Sequence, residues 1–327
     1  MATCPSIFDA LVIGAGPAGL SAALALGRVM RTAAIFDTGV FRNAPANHMH
    51  TVPTWDHQSP VAYRQQCITE LRQRYNGTIH FANTGVASVK AGKDSDYVVT
   101  DEAGKTWMGR KVILATGVKD VMPDVKGYAQ AWGRYIFHCL FCHGFEQRGS
   151  ESAGLLVLDK TILSTEIEIA VHFGHLALQF AKKITVFLDG HVEFLEDPRI
   201  KGLEAQGFLI NPKPISKITY AADPEPGFAT VHLEDGSEEN MSFLVHRPRT
   251  LLAGDFANQL GLELTEAGDV KTTPPFYETS VKGVFAAGDC AVPLKQVVWA
   301  VSTGVSAGSG VNFQCLGADM AARSKLS

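Results

Sequence analysis

One pair of cysteines in this sequence of 327 residues is spaced for redox chemistry. Cys139 and Cys142 form a Cys-x-x-Cys motif, whose thiols can close a disulfide across one turn, and a helix N-terminus there would favour a reactive thiolate. The remaining cysteines are scattered, so no second pair completes a zinc site. They are Cys4, Cys67, Cys290 and Cys315. We predict thiol–disulfide exchange at this pair, in preference to zinc binding or two inert buried thiols.

Two histidines flank the pair and are candidates for proton transfer. His143 directly follows Cys142, and His138 directly precedes Cys139. A histidine with an ordinary pKa of ~6.5 can accept a thiol proton near neutral pH, and its protonated form stabilises a thiolate. We predict His143 as the acid/base residue and His138 as the second candidate. The alternative for either is a histidine that only hydrogen-bonds the backbone.

A glycine-rich motif near the N-terminus predicts a dinucleotide site. An apolar strand at residues 7–13 precedes the motif, and a helical stretch and a second strand ending at Asp37 follow it. The first glycine permits a tight turn, the second lets backbone amides approach a pyrophosphate, and the third lets the helix pack on the strand. The motif residues predicted to bind the dinucleotide are Gly14, Gly16, Pro17, Ala18 and Gly19. Asp37 lies at about the spacing of an acid that binds a ribose hydroxyl.

Two later strand ends resemble the flavin site of a known family. One apolar strand ends at Thr116-Gly117, and another, near the C-terminus, ends at Gly288-Asp289. Together with the N-terminal motif they resemble the two-dinucleotide-domain flavoprotein reductases, specifically the low-molecular-weight thioredoxin reductase group. The resemblance implies FAD at the first glycine motif, with both later turns beside it. Further FAD contacts that it implies are Arg42, Asn43, Gln296 and Val297.

The resemblance also implies the fold and the domain organisation. It predicts an α/β protein in which residues 1–118 and 246–327 form a discontinuous, Rossmann-type FAD domain. Residues 119–245 would form a smaller inserted domain of NADPH type that carries the redox pair, with turns at residues 221–227 and Asp235-Gly236. In this family the disulfide stacks against the flavin, and the enzymes are usually homodimers, so we expect a homodimer. An Asp usually follows the second cysteine, where this sequence has a histidine.

The second domain lacks the glycine motif that an NADPH site needs. An apolar strand at residues 154–158 is followed by the stretch 159–173, which contains no glycine. Side chains at every position would hold a pyrophosphate away from the backbone amides, and Glu166 and Glu168 would add negative charge near it. The next strand ends at Asp189, where a 2′-phosphate site needs Arg. Arg247 and Arg249 come much later and are interpreted as surface or interdomain residues. We therefore predict that this domain keeps its fold without binding NADPH.

Without NADPH, electrons would enter at the cysteine pair. The stretches 138–146 and 48–57 resemble the dithiol oxidases of the gliotoxin, holomycin and romidepsin type, which install disulfides in small natural products. The resemblance covers nearly the whole chain. It implies that a substrate dithiol reduces the Cys139–Cys142 disulfide, that the pair reduces FAD, and that reduced flavin converts oxygen to hydrogen peroxide. By analogy Cys139 would face the substrate and Cys142 the flavin.

Composition restricts the remaining alternatives. The net charge of −4 and the lack of a basic run argue against nucleic-acid binding. No basic region precedes an apolar stretch at the N-terminus, and the most apolar window, residues 11–26, is broken by glycines, so we expect a cytoplasmic protein without a membrane helix. His48, His50 and His57 have no helical spacing and no neighbouring acid or cysteine cluster, so we predict no metal and expect their loop to pack on FAD.

Two other functions remain open from the sequence. The first is a disulfide reductase that takes electrons from NADPH or ferredoxin. The second is a non-catalytic flavoprotein used for binding or regulation, against which the intact cysteine pair argues.

Overall fold

The computed structural model describes residues 7–93, 96–159, 161–222 and 227–325. Cys4, the start of the chain and the four central residues of the turn predicted at 221–227 lie outside this part. Among the helices it describes, none combines the length and the apolar character that crossing a bilayer requires.

The chain divides into two compact units. Unit 1 contains Met1–Ala44, Val52–Lys119 and Thr250–Ser327, and unit 2 contains Pro45–Thr51 and Asp120–Arg249. The chain passes into unit 2 after Lys119 and returns to unit 1 after Arg249, against expected boundaries after residues 118 and 245. The segment Pro45–Thr51 differs from the expected division. The sequence placed it in the FAD domain, whereas its contacts group it with unit 2.

The first part of unit 1 alternates strands and helices. In chain order these are β1 (Phe8–Ile13), α1 (Pro17–Arg28), β2 (Ala33–Phe36), α2 (Pro60–Arg74), β3 (Ile79–Ala82), β4 (Val86–Ala91), β5 (Tyr97–Asp101), β6 (Thr106–Leu114) and β7 (Val118–Asp120). The elements of unit 2 follow without a break. They are α3 (Tyr128–Ala131), β8 (Ile136–Phe137), α4 (Leu140–His143), β9 (Ser150–Leu156), α5 (Leu163–Ala177), β10 (Ala181–Phe187), α6 (Pro198–Ala205), β11 (Leu209–Asn211), β12 (Ile215–Ala221), β13 (Phe228–Leu233), β14 (Glu238–Met241) and β15 (Phe243–Val245). The chain then returns to unit 1 with β16 (Thr250–Leu252), α7 (Phe256–Gln259), β17 (Val284–Ala286) and α8 (Val297–Ser324).

Unit 1 is built on a mainly parallel sheet in the order β3-β2-β1-β6. The second half of β6 pairs in parallel with β17, and its first half pairs antiparallel with the β4-β5 hairpin. The strand β1 is an apolar run with buried neighbours on both sides, Ile13 standing opposite Phe36 and Leu114. Parallel strands end at one edge of a sheet, so the turns after β1, β6 and β17 meet there.

The long C-terminal helix α8 packs directly on α1. A Cβ at Gly304 would lie 2.2 Å from the backbone oxygen of Ala18, so only glycine permits this approach of the two helices. Beneath them, α1 and α8 contribute small residues to one continuous apolar core with the sheet, including Ala22 and Ala307. This packing places the start of α1 and the start of α8 at the edge where the turns meet.

Unit 2 repeats the parallel plan on a smaller scale. Its main sheet has the order β11-β10-β9-β15-β8, and every pairing within it is parallel. A three-stranded antiparallel sheet, β12-β13-β14, shares an apolar core with α3. The strands β7 and β16 pair where the chain passes into unit 2 and returns. The predicted α/β class with Rossmann-type parallel sheets is therefore confirmed.

Candidate active site

The predicted cysteine pair lies directly after β8. Cys139 is the N-terminal cap of the four-residue helix α4, and its Sγ accepts a hydrogen bond of 3.1 Å from the backbone N–H of Cys142. The two sulfurs are joined in a disulfide. Because Cys139 is extended while the next residues are helical, the short helix brings its third residue, Cys142, back beside its cap. The Cys-x-x-Cys spacing thus produces an oxidised pair within one turn.

The surface beside the disulfide is aromatic. Phe141, between the two cysteines, is 68% exposed, and Phe145, in the following turn, is 66% exposed. By contrast Leu140 is fully buried and anchors the helix in the core of unit 2. The guanidinium of Arg148 lies 4.2 Å from the ring centroid of Phe145. Phe141 and Phe145 therefore expose two large apolar groups beside the disulfide.

The ring of His143 packs on an apolar side chain. This ring stacks on Phe137 with a centroid separation of 4.8 Å and an interplanar angle of 22°. Burial first, and nearby His50 second, lower the pKa of His143 to about 4, while Glu146 opposes the shift. His143 is therefore neutral at pH 7. It can accept a proton there, but it does not supply the cation that the sequence reading offered as a thiolate partner.

His50 is the site residue whose location the sequence reading missed. Its Nε2 lies 3.3 Å from Oε1 of Glu146, and its ring meets that of His143 edge-on at 5.9 Å. The loop that carries His48, His50 and His57 was expected to pack on FAD as a whole. The contacts instead group His48 and His50 with unit 2 and leave His57 in unit 1. No local sequence signal connects His50 to a residue so distant in the chain.

The second candidate, His138, belongs to a column of stacked rings. Its ring stacks on Trp132 at 5.4 Å, and Trp132 stacks on the buried Tyr128 at 5.7 Å. This stacking fixes the ring directly before Cys139. The two histidines flanking the pair thus differ in surroundings, since His143 has ionisable neighbours and His138 lies on a tryptophan face.

The N-terminal glycine motif has the geometry that the sequence predicted for it. Gly14 has φ of +112°, and a Cβ there would lie 2.3 Å from the backbone oxygen of Ala115. A Cβ at Gly19 would lie 1.9 Å from the oxygen of Gly14, so α1 could not approach β1. A Cβ at Gly16 would meet no atom within 4 Å. Gly16 therefore faces open space before the N-terminus of α1, which begins at Pro17 and Ala18, and this fits a bound pyrophosphate.

The residues expected to bind the rest of FAD come from separate parts of unit 1. Asp37 directly follows β2, and its Oδ1 accepts a hydrogen bond of 2.8 Å from the backbone N–H of Gly39. Arg42 reaches across to Asp289, with 3.1 Å between Nη1 and Oδ2. The side-chain oxygen of Asn43 accepts a bond of 2.8 Å from Arg64. The loop after β2 is thereby tied to the Gly-Asp turn.

The other predicted contacts lie around the ends of β6, β17 and the start of α8. Thr116 and Gly117 follow β6, and Gly117 has φ of +69°. The backbone N–H of Gly288 donates to Thr303 of α8 at 2.9 Å. Gln296 caps α8, which begins at Val297. The described residues along this edge of the sheet therefore fit a long dinucleotide such as FAD.

A buried ion pair supports the Gly-Asp turn. Nζ of Lys295 lies 2.8 Å from Oδ1 of Asp269 and 2.7 Å from the backbone oxygen of Asp289. Each side chain of the pair is only 9% exposed. Lys295 directly precedes the predicted FAD contact Gln296, but it was not among the predicted binding residues, because nothing local in the sequence shows its partner.

The turn after β9 holds the carboxylate of Glu166. This side chain is buried, and its Oε2 accepts the backbone N–H of Leu158 at 2.5 Å and of Asp159 at 2.9 Å. Its Oε1 lies 2.9 Å from Nε2 of His246, whose Nδ1 is 2.6 Å from the hydroxyl of Tyr128. The carboxylate that the sequence placed near this turn therefore occupies two of its backbone amides.

The outer side of the same turn carries a different acid. Oδ1 of Asp159 accepts the backbone N–H of Thr161 at 2.9 Å, and Oδ2 lies 3.6 Å from Nε of Arg249. Arg249 thus lies at the turn, which the sequence reading did not anticipate. Glu168 points away to Arg199 at 3.4 Å. The turn thus carries the carboxylate of Asp159, whereas a glycine at such a turn would leave the backbone amides accessible to the pyrophosphate of NADPH.

This fold and site define a class of protein: a flavin-dependent oxidoreductase with a redox-active disulfide. The sequence profile of the pyridine nucleotide-disulphide oxidoreductase family matches residues 8–198 and 200–304. The chain belongs to this family, and FAD is its cofactor.

Named relatives place it among thioredoxin reductase-like proteins. It is 40% identical over 310 residues to thioredoxin reductase aclD of Aspergillus oryzae, covering 94% of this chain and 96% of the relative. It is 39% identical to thioredoxin reductase tcpT of Claviceps purpurea, covering 95% of each chain. An oxidoreductase structure from Agrobacterium tumefaciens is 29% identical, with a TM-score of 0.83, and matches 95% of this chain and 99% of that one.

Proposed function

We propose that this enzyme oxidises a small-molecule dithiol to an intramolecular disulfide in natural-product biosynthesis, with oxygen as the electron acceptor. The observation that carries the proposal is the Cys139–Cys142 disulfide, an oxidant that accepts two electrons from a dithiol. The exposed Phe141 beside it offers apolar contact to a small substrate. Neutral His143 provides a proton acceptor next to Cys142.

The exchange is balanced in two steps. A substrate thiolate attacks Cys139, forming a mixed disulfide and releasing the Cys142 thiolate, and His143 accepts the proton of the attacking thiol. His143 passes this proton to the Cys142 thiolate and then accepts the proton of the second substrate thiol. The resulting thiolate attacks the substrate sulfur of the mixed disulfide, which closes the substrate disulfide and frees Cys139, and Cys139 takes up the proton from His143. The substrate has lost two electrons and two protons, and the enzyme pair is a dithiol. When bound, FAD would supply the two-electron acceptor for this dithiol, and with oxygen as the final acceptor the balance would be one hydrogen peroxide per disulfide formed.

The proposed direction of electron flow is supported by the second unit. The turn after β9 has no glycine, and Asp159 carries its carboxylate there. The strand β10 is followed by Asp189, whose Oδ1 accepts the backbone N–H of Ile215 at 2.7 Å. No arginine stands at that strand end for a 2′-phosphate. These features disfavour NADPH as the electron donor.

Anaerobic flavin spectroscopy tests the proposal. Purified FAD-loaded protein would be mixed with dithiothreitol and, separately, with NADPH. We expect dithiothreitol alone to bleach the flavin, and air to restore the colour with about one hydrogen peroxide per flavin. Bleaching by NADPH would refute the proposal.

The names of the relatives favour one other function. Both close relatives are called thioredoxin reductases. In that case the same cysteine pair would reduce a disulfide, with electrons from NADPH or ferredoxin. Bleaching by either donor, followed by turnover of an oxidised thioredoxin, would identify this activity.

We also propose that the enzyme is a homodimer that associates through α8. Phe313, Leu316 and Met320 are exposed along one side of this helix, and Phe313 stacks on the partly exposed Phe276 at 5.8 Å. Light scattering should give twice the mass of one chain, and Phe313→Asp should give the mass of one. The control Phe145→Asp, also an exposed phenylalanine, should leave the mass doubled. A single-chain mass for the unmodified protein would refute the dimer.

A further inference from the structure

His143 has few ionisable neighbours. One side of its ring stacks on the apolar Phe137 of β8, and the cysteines beside it are tied in the disulfide. Among the described residues, the ionisable groups that act on it are His50 and Glu146. A proton taken up by His143 therefore interacts mainly with these two side chains.

These two side chains are paired with each other. His50 comes from the segment Pro45–Thr51, and Glu146 comes from the 3-10 turn Phe145–Gln147 that follows α4. Nε2 of His50 lies 3.3 Å from Oε1 of Glu146. The His50 side chain is 9% exposed, whereas that of Glu146 is 34% exposed, so the pair extends from the covered ring of His143 towards solvent.

We propose that the contact between His50 and Glu146 positions His143 and tunes its proton affinity during thiol–disulfide exchange at Cys139 and Cys142. The proposal rests on the proposed function, because it assigns a role to residues around the same redox pair. His50 and Glu146 act through His143 and are positioning residues. Neither is needed to form or break a sulfur–sulfur bond.

The two partners have opposite electrostatic effects on His143. After burial, His50 is the second cause that lowers the pKa of His143, so it favours the neutral form that accepts a proton. The Glu146 carboxylate favours the protonated form and stabilises the imidazolium once the thiol proton has moved to His143. The pair therefore gives a base that is neutral before the transfer and has a counter-ion after it.

Opposite effects provide a test that a purely structural role would fail. His50→Gln removes the ring that lowers the pKa of His143 and should raise that pKa, while Glu146→Gln removes the carboxylate that raises it and should lower it. The control Glu151→Gln removes an exposed carboxylate of the same unit, which pairs with Lys182 at 2.5 Å, and should change nothing at His143.

The titration would be read by NMR of FAD-loaded protein labelled with ¹³C-histidine, with the His143 signal assigned by its loss in His143→Gln. We expect a wild-type midpoint at about pH 4 and shifts of opposite sign in the two variants. If His50→Gln does not retain FAD, His50→Asn carries the same test. Midpoints that stay unchanged, or move in one direction in both variants, would overturn the proposal.

Stopped-flow bleaching of the flavin by dithiothreitol gives the functional readout. We expect both variants to change the rate constant for bleaching and its pH profile more than the dithiothreitol concentration at half-saturation. Equal pH profiles in wild type, His50→Gln and Glu146→Gln would overturn the role in exchange. Failure of the wild type itself to bleach would instead refute the proposed function, and the NMR titration distinguishes the two failures because it needs no substrate.

Discussion

The buried ion pair of Lys295 and Asp269 is expected to control both the stability of unit 1 and its hold on FAD. Lys295→Met removes the charge and keeps most of the side-chain volume. It leaves Asp269 as an unpaired carboxylate, 9% exposed, and it removes the donor to the backbone oxygens of Asp289 and Val292. Those oxygens belong to the turn whose Asp289 carboxylate pairs with Arg42.

The magnitude follows from burial. Breaking one side of a buried, hydrogen-bonded ion pair costs about 3–5 kcal/mol, mostly because the remaining charge has lost its partner. The pair Lys271–Glu263 provides a matched control, since its Nζ to Oε2 distance is also 2.8 Å but its side chains are 63% and 61% exposed. Water replaces the partner at such a site, so Lys271→Met should have little effect.

The assay is urea-induced unfolding followed by flavin release, with FAD affinity measured in parallel by flavin fluorescence. Lys295→Met should move the unfolding midpoint to lower urea and weaken FAD binding, and Lys295→Arg should recover part of both. The double variant Lys295→Met/Asp269→Leu should also recover stability, because replacing both charges leaves none unpaired.

Equal unfolding midpoints for Lys295→Met and Lys271→Met would refute the reasoning. They would mean that burial does not determine what this ion pair contributes. A large loss of stability with unchanged FAD affinity would show instead that the pair holds the core without supporting the Gly-Asp turn.

Three other predictions concern the redox pair and the FAD motif. Cys142→Ser should retain FAD but should not be bleached by dithiothreitol in anaerobic absorbance. The pKa of His143 is about 4 in the folded chain and about 6.5 in the unfolded chain, so the unfolded chain takes up the proton first as the pH falls. The free energy of unfolding should therefore fall by about 3 kcal/mol between pH 6.5 and pH 4. His143→Gln should flatten the dependence of urea midpoints on pH across that range. Gly16→Val should weaken FAD binding in fluorescence titrations while apo-protein circular dichroism stays unchanged, since its Cβ meets only open space, whereas Gly19→Ala should disturb folding.

Each of these has a contrary result. Bleaching of Cys142→Ser at the wild-type rate would remove the pair from the electron path. An unchanged pH slope in His143→Gln would mean that the histidine titrates alike in folded and unfolded chains. Full FAD affinity in Gly16→Val would place the pyrophosphate elsewhere.

Much of the fold and the FAD motif could be predicted because the controlling forces act over short distances. Crowding by the oxygen of Gly14, five residues away, excludes a side chain at Gly19, whereas at Gly14 the crowding comes from Ala115, directly after the neighbouring strand β6, and Gly16 faces open space. Apolar runs ending in small residues identify β1, β6 and β17 as buried parallel strands. The spacing of Cys139 and Cys142 is likewise a local property of one turn.

The electrostatic surroundings of the same residues were decided only by the tertiary structure. Glu166 binds two backbone amides of the turn after β9, and its other carboxylate oxygen lies beside His246, far along the chain. His50 lies beside His143, and Lys295 finds its partner on a distant loop. By itself the sequence determined which residue types stand at each turn and hence the class of chemistry. Charge state and pairing depend on burial and on neighbours distant in the chain, because Coulomb interactions and desolvation act through space, so only folding could decide them.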